Sequence, residues 1–510
     1  MGLLVGSIDE GTSSARFSIF KVGTSEIVAS HQMEIKRIHP NDGWTEQDPF
    51  ELLNSVKKCI KIATEKLVDS GGNVKDIVAI GVTNQRESTI VWDKYTGMPL
   101  YNSIVWLDVR TAPLLDSLLE KTPDSNMDKN YLRHICGLPM SPYFSAIKLK
   151  WLKDNIPAVQ EAIENDRCFF GTVDSWLIWN LTGGVNGGVH ITDVSNASRT
   201  MLMNIATFKW DKELLTYFDL PDSILPEIRS SSEIYGYFSE GPLEGIPLAG
   251  CLGDQQSALV GQQCLKSGQA KATYGTGCFL LYNTGTTMVD SRHGLLTTVA
   301  YQMGPNEPPV YALEGSVAVA GAALSWLRDN LTVLSDFDQA QKLAEEAESE
   351  NGGEVYFVPA FSGLYAPYWQ PDARGIICGI TLDTKKGHII RAALEAVCFQ
   401  TRDILQAMNR DYGKETLSVL QVDGGMTANT LLMQLQADLA GVTVVRPNMA
   451  ECTSLGAAMV AAAAVGHWDL KGPPIDIPSR VWTPKITDEQ RVFKSSKWKM
   501  AVERSLGWTL

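Results

Sequence analysis

The chain opens on two apolar runs, Leu3 to Asp9 and Ala15 to Lys21, separated by EGTSS, whose residues accept tight backbone or hydrogen-bond to it. That pattern predicts a β-hairpin. From 47 to 67 (QDPFELLNSVKKCIKIATEKL) apolar positions recur at spacings near 3 and 4, and Asp48-Pro49 marks a first turn, so a helix is expected there. Ile77 to Val82 reads as a further strand, ending at TNQRE. Near residue 248 the sketch begins again: LAGCLGDQQSALVGQQCL runs apolar, then Gly-Asp-Gln, then small and hydroxyl residues, then apolar. A domain boundary is expected at that point, dividing the chain into 1–252 and 253–510. Leu420 to Gly441 reads as strand, GG turn and helix, with Thr427 and Asn429 in the first helical turn.

A length of 510 residues with 44% hydrophobic positions is enough for two or three compact cores. Lysine and arginine total 44 against 58 acids, a net charge of −14, which disfavours nucleic acid and anionic membrane as partners and points to small-molecule work. The most apolar segment, AAMVAAAAVG from Ala457 to Gly466, is about half of what a membrane helix needs and reads as a packed core helix. The start MGLLVGS lacks a signal peptide's basic opening and cleavage site, and the nine scattered cysteines form no CxxC pair, so a cytoplasmic protein with buried free thiols is expected. The seven histidines are dispersed, with no metal-ligand spacing.

Three constellations carry chemistry. SIDEGTSSARF is either a polar hairpin tip or a phosphate cup. In the second case the hydroxyls and amides of Thr12, Ser13 and Ser14 grip a polyphosphate, Arg16 neutralises it, and Asp9 holds a divalent cation. Gly253-Asp254-Gln255-Gln256, matched by TYGTGCF further on, is either a capped strand end or an acid facing a hydroxyl substrate, with Thr276 near a transferring phosphoryl group. TNQRE, with Trp106 and Tyr143, is either a structural ion pair or a polyol pocket, in which Arg86 and Glu87 meet hydroxyls and rings wall the carbon faces. No Walker A pattern occurs, so any phosphate site has another architecture.

In this order and across nearly the whole chain, SIDEGTSSARF, TNQREST, YFSAIKLKWLKDN, GDQQSALVGQ, TYGTGCFLL, PAFSGLYAPYW, GIICGITLDTKKGHIIRAALE and VDGGMTAN resemble the FGGY carbohydrate kinase family. The resemblance is to its glycerol-phosphorylating branch. It implies two α/β domains of ribonuclease H-like fold, as in actin and hexokinase, closing on ATP, Mg²⁺ and glycerol in the cleft between them. The implied activity is ATP-dependent phosphorylation of glycerol to sn-glycerol 3-phosphate. The alternatives are a kinase for another small polyol or a pentulose, and a non-catalytic nucleotide-binding regulator. A homodimer or homotetramer is compatible with it.

Residue by residue, the resemblance implies Asp254 as catalytic base, with Arg86, Glu87, Tyr143, Asp254 and Gln255 on glycerol and Trp106 and Phe279 as its apolar wall. It implies Thr12, Ser13, Ser14, Arg16, Thr276, Gly321, Gly425 and Asn429 on the nucleotide, and Asp9 and Asp254 near the metal. LGDQQSAL is expected to form the second phosphate hairpin. One departure stands out: Glu10 occupies a position where the family usually has Gln, and a carboxylate beside a triphosphate repels it. Glu10→Gln is therefore expected to improve affinity for MgATP.

Overall fold

The computed structural model describes residues 2–123, 127–348, 353–413 and 417–508. Its first large sheet is built from β1 (Leu4–Glu10), β2 (Ser14–Lys21), β3 (Ile27–Glu34), β4 (Ile77–Asn84), β5 (Ser232–Tyr237) and β6 (Pro247–Gly253), in the order β5-β6-β4-β1-β2-β3. The opening hairpin is β1–β2, antiparallel with Asp9 opposite Arg16. β1, β4 and β6 run parallel, so their C-terminal ends meet at one edge. The expected helix spans Pro49–Asp69; Asp48 caps it by accepting from the Phe50 amide at 2.8 Å, and Leu52, Val56, Cys59, Ile60, Ala63 and Leu67 form its buried stripe.

The second large sheet repeats the plan. It comprises β7 (Ala270–Tyr274), β8 (Cys278–Gly285), β9 (Leu296–Tyr301), β10 (Val310–Val317), β11 (Val419–Asp423), β12 (Thr443–Pro447) and β13 (Ser479–Trp482), ordered β9-β10-β8-β7-β11-β12-β13. Again a hairpin, β7–β8, is followed by strands β11 and β12 parallel to β7. This is a two-domain α/β fold with a mixed sheet in each half, as the resemblance implies.

The restart does not lie where the sequence pattern suggests it. LAGCLGDQQSAL is no hairpin: Pro247–Gly253 is a strand of the first sheet and Asp254–Gly261 a helix, so the second hairpin is β7–β8, with Thr276 in its turn. The apolar residues after Asp254 serve helix packing, which a short window does not distinguish from a buried strand.

Helix Asp254–Gly261 packs against helix Cys452–Ala464, the alanine-rich segment from the far end of the chain, and this second helix lies on the first sheet. Glycines make the approach possible. A Cβ at Gly456 would fall 1.9 Å from the Ser257 carbonyl oxygen, one at Gly261 1.9 Å from that of Cys452, and one at Gly81 2.1 Å from that of Ala457. The nine cysteines are free and all but Cys378 are buried. Among the described residues no helix is long and apolar enough to cross a membrane.

Candidate active site

Thr83 in β4 is in register with Asp9 on one side and Leu252 on the other. The strands that carry Asp9 and lead into Asp254 are thus two strand spacings, about 10 Å, apart in the backbone, and both acids leave the same sheet edge. Burial pushes both carboxyls above their ordinary value. Arg16 and the Ser454 hydroxyl, 3.0 Å from Asp9 Oδ2, pull Asp9 back, Arg86 and Lys271 pull Asp254 back, and the negative charge of Asp9 raises Asp254 further. Two buried acids at one sheet edge, the first raising the second, are hard oxygen donors of the kind a cation takes.

What fixes these strand ends is a buried polar strap. Asp193 caps a short helical turn by accepting from the amides of Ser195 and Asn196, both at 2.9 Å. Ser195 Oγ then accepts from the Gly253 amide at 2.9 Å, and the Asn196 and Asn84 side chains exchange two hydrogen bonds of 3.0 and 3.1 Å. Asp174, Asp193 and Cys251 have ligand atoms within 4.8 Å of one another behind β6. Their carboxylates are occupied by Thr172, Thr192, Ser195, Ser231 and Asn196, so this cluster is a hydrogen-bonded scaffold.

Beyond β4, Arg86 and Glu87 enter a ring of four charges, all nearly inaccessible. Arg86 donates to both oxygens of Glu314, at 2.7 and 2.8 Å, and from Nη1 to Gln256 Oε1 at 3.2 Å. Arg199 donates from Nε to Glu87 at 2.6 Å, and its Nη2 lies 3.2 Å from Glu314. Glu87 sits in the left-handed region at φ 60°, a strained conformation of the kind held at functional sites. Burial works to raise Glu314, but Arg199 and Arg86 overcome it and hold that carboxyl at about 2. Arg86 Nε is 3.4 Å from Asp254 Oδ1, which joins the ring to the strand-end acids.

An aromatic wall closes one side. Trp106 meets Tyr143 edge-on at 5.4 Å between ring centroids and Phe279, from β8, at 6.1 Å. The Trp106 indole donates to Thr12 Oγ1 at 2.9 Å, so the wall and the first hairpin are one unit. The loop carrying Tyr143 is held by buried Lys148, which donates to the carbonyls of Pro142 and Tyr143 and whose own pKa burial pushes down to about 7. Gln255, on the other side, accepts from Lys271 of β7.

Three of the expected nucleotide contacts converge from separate elements. The Thr276 carbonyl accepts from the amides of Ala320 and Ala322 at 3.0 and 3.1 Å, which ties the β7–β8 turn to the start of helix Gly321–Asp329. A Cβ at Gly321 would lie 2.8 Å from the Gly275 oxygen and 3.4 Å from Met426 Sδ, so this junction needs glycine, whereas Gly425 faces open space. Asn429 is partly committed elsewhere: it caps helix Thr430–Ala440 by accepting from the Leu432 amide at 2.9 Å. In the first hairpin Ser13 is exposed and Ser14 half-buried, while Arg16 pairs with Glu451 and Gln32. A cavity of 640 Å³ bordered by Trp326, Phe357, Phe361 and Ile376 has Arg374 as its one ionisable lining group and offers no acid-base pair.

Glu10 does not face this cleft. Side chains alternate along β1, so Asp9 points toward Ser454 while Glu10 points to the opposite face, fully buried near Glu51 and Cys59, with neither oxygen hydrogen-bonded. Burial, then Asp9 and Glu51, push its carboxyl well above 4.5. The expected gain in MgATP affinity therefore gives way to a different outcome. Glu10→Gln leaves the KM for MgATP unchanged and alters stability. A raised folded-state pKa means that stability is intact below 4.5 and lost as pH rises toward the folded value. The variant should thus match the parent at acid pH and exceed it by more than about 1 kcal/mol near pH 8, measured by denaturant titration at both. Equal differences at the two pH values would contradict this.

Glu314, Arg199 and Lys271 escape the sequence reading although they touch its candidates. Their signal is a charge inside an apolar run, as in VYALEGSV, because such a charge needs a buried partner.

The model for the FGGY family of carbohydrate kinases matches this chain in both parts, its N-terminal domain over residues 4–261 and its C-terminal domain over 270–465. The expected boundary after 252 lies within the first of these spans, at the end of β6. The chain is 50% identical over 511 residues to the glycerol kinase of Brucella anthropi, covering 100% of both, and 49% identical to that of Arabidopsis thaliana, covering 98% of this chain and 97% of the relative. A crystal structure of Plasmodium falciparum glycerol kinase with ADP superimposes with a TM-score of 0.90 at 39% identity, covering 99% of each chain.

Proposed function

The chain belongs to the FGGY family of carbohydrate kinases, and from that premise we propose that it transfers the γ-phosphoryl group of ATP to a terminal hydroxyl of glycerol, giving sn-glycerol 3-phosphate and ADP. The observation that carries this reading is the meeting, at one sheet edge, of Asp254 with the Arg86–Glu87 pair, walled by Tyr143, Trp106 and Phe279. A short polyol offers hydroxyls to the first set and carbon faces to the second. The glycerol kinases of Brucella anthropi and Arabidopsis thaliana, at half identity over the full length, support the same substrate.

In this mechanism Arg86 donates to one glycerol hydroxyl and Glu87 accepts from another. Asp254 accepts the proton of the attacking hydroxyl as its oxygen bonds to phosphorus and the bond to the ADP oxygen breaks. Thr12, Ser13, Ser14 and Arg16 on one hairpin and Thr276 on the other meet the phosphates, with amides and hydroxyls aimed where negative charge accumulates. Gly321 lets its helix pack on the Gly275 turn beside the nucleotide, and Gly425 leaves open space for the nucleoside. Asp9 and Asp254 supply hard oxygen donors at one edge of the cleft and would hold Mg²⁺ there, directly or through its waters. When bound, that ion neutralises phosphate charge.

A panel of glycerol, erythritol, xylitol and xylulose with ATP, read by ADP release and by identification of the phosphorylated product, tests the reading. Glycerol is expected to be used well and the longer substrates poorly. Preference for a pentulose, or ATP turnover indifferent to glycerol, would refute it.

A further inference from the structure

Of the groups expected to hold substrate, Arg86 is the most constrained, and its constraint comes from the other domain. Glu314 lies in the middle of β10, in the second sheet, and reaches across to take one N–H from each terminal nitrogen of Arg86. Gln256 takes a further one. A guanidinium has five N–H groups. What remains is the Nε–H and one N–H on Nη2, on the side where Asp254 and Glu87 lie at 3.4 and 3.8 Å from Nε. The opposite corner is closed by Arg199, fully buried, which holds Glu87 with Nε and approaches Glu314 with Nη2. Around the ring the charges alternate: Arg86, Glu314, Arg199, Glu87.

We propose that Glu314 and Arg199 are positioning residues for the polyol. By occupying Arg86 and Glu87 from behind, they keep that pair from collapsing onto each other and onto Asp254, and so hold open the slot that a substrate hydroxyl fills. Without the Glu314 carboxylate, the two freed N–H groups of Arg86 turn to the nearest acids, Asp254 and Glu87, and the slot closes. Because Glu314 belongs to the second sheet, the polyol pocket is complete only when both domains are in register. This inference rests on the glycerol reading above.

The test compares Glu314→Gln and Arg199→Lys with the parent, using full-length protein, steady-state kinetics in glycerol and in ATP, and calorimetric glycerol binding. Loss of one buried charge-assisted hydrogen bond raises both the KM and the Kd for glycerol by about 10-fold or more, while the KM for ATP stays within about twofold. A glycerol KM within twofold of the parent overturns the proposal. So does an equal rise in both KM values with a lowered melting temperature, the mark of a merely structural role. If Glu314→Gln does not fold, Glu314→Asp and Arg199→Lys are judged by the same criteria. A parent protein that releases no ADP with glycerol would count against the function itself, a result separable from a parent that works and variants that bind glycerol normally.

Discussion

Asp254→Asn is expected to lower kcat for glycerol phosphorylation by at least about 10²-fold, with the KM for glycerol little changed. Asparagine keeps the shape of the side chain and an Oδ1, so it keeps the 2.7 Å hydrogen bond from the Gln255 amide and the 3.4 Å approach to Arg86 Nε. What it loses is the ability to take a proton. The first position of a helix, two strand spacings from Asp9, is therefore preserved and only the acid-base function is removed. As the proposed base, Asp254 must be ionised, and burial raises its carboxyl above the usual 3.8, so activity of the parent should fall as pH drops through that raised value. A coupled assay of ADP release measures both, and near-normal turnover by the variant would remove Asp254 from the role of base.

The second large effect lies away from the chemistry. Gly456→Val should destabilise the protein by about 3 kcal/mol and lower kcat along with it. At this position the Cys452–Ala464 helix touches the backbone of the Asp254–Gly261 helix: the added Cβ would meet the Ser257 oxygen at 1.9 Å and the Ser257 carbonyl carbon at 2.7 Å. Neither neighbour is a flexible side-chain end. The two helices must part, and the one that moves begins with Asp254. Denaturant unfolding with kinetics on the same preparation checks both, and an unchanged midpoint would show that the helices tolerate separation.

Much of this architecture is legible along the chain where the determining contacts are local. The β1–β2 hairpin follows from two apolar runs around EGTSS, and helix Pro49–Asp69 from its apolar spacing and the Asp48 cap. The restart is misread by about one element because GDQQSAL and EGTSSAR look alike in composition, and only the sheet's hydrogen bonds separate a strand-to-helix junction from a hairpin. The orientation of Glu10 was available from the two-residue period of a strand, since Asp9 and Glu10 cannot both face the cleft. The Arg86–Glu314 pair was not: 228 positions separate its members, and nothing local in VYALEGSV names the arginine that Glu314 meets.

The seating of helix Cys452–Ala464 on the first sheet also decides how this molecule can be divided. The bare stretch between residues 261 and 270 looks like a natural place to cut, yet severing it would leave the N-terminal piece with one face of its sheet uncovered and the C-terminal piece carrying an orphaned greasy rod. Engineers wanting a split reporter or a transplantable module should graft 452–464 onto the leading fragment, or produce both pieces together so that they can reassemble.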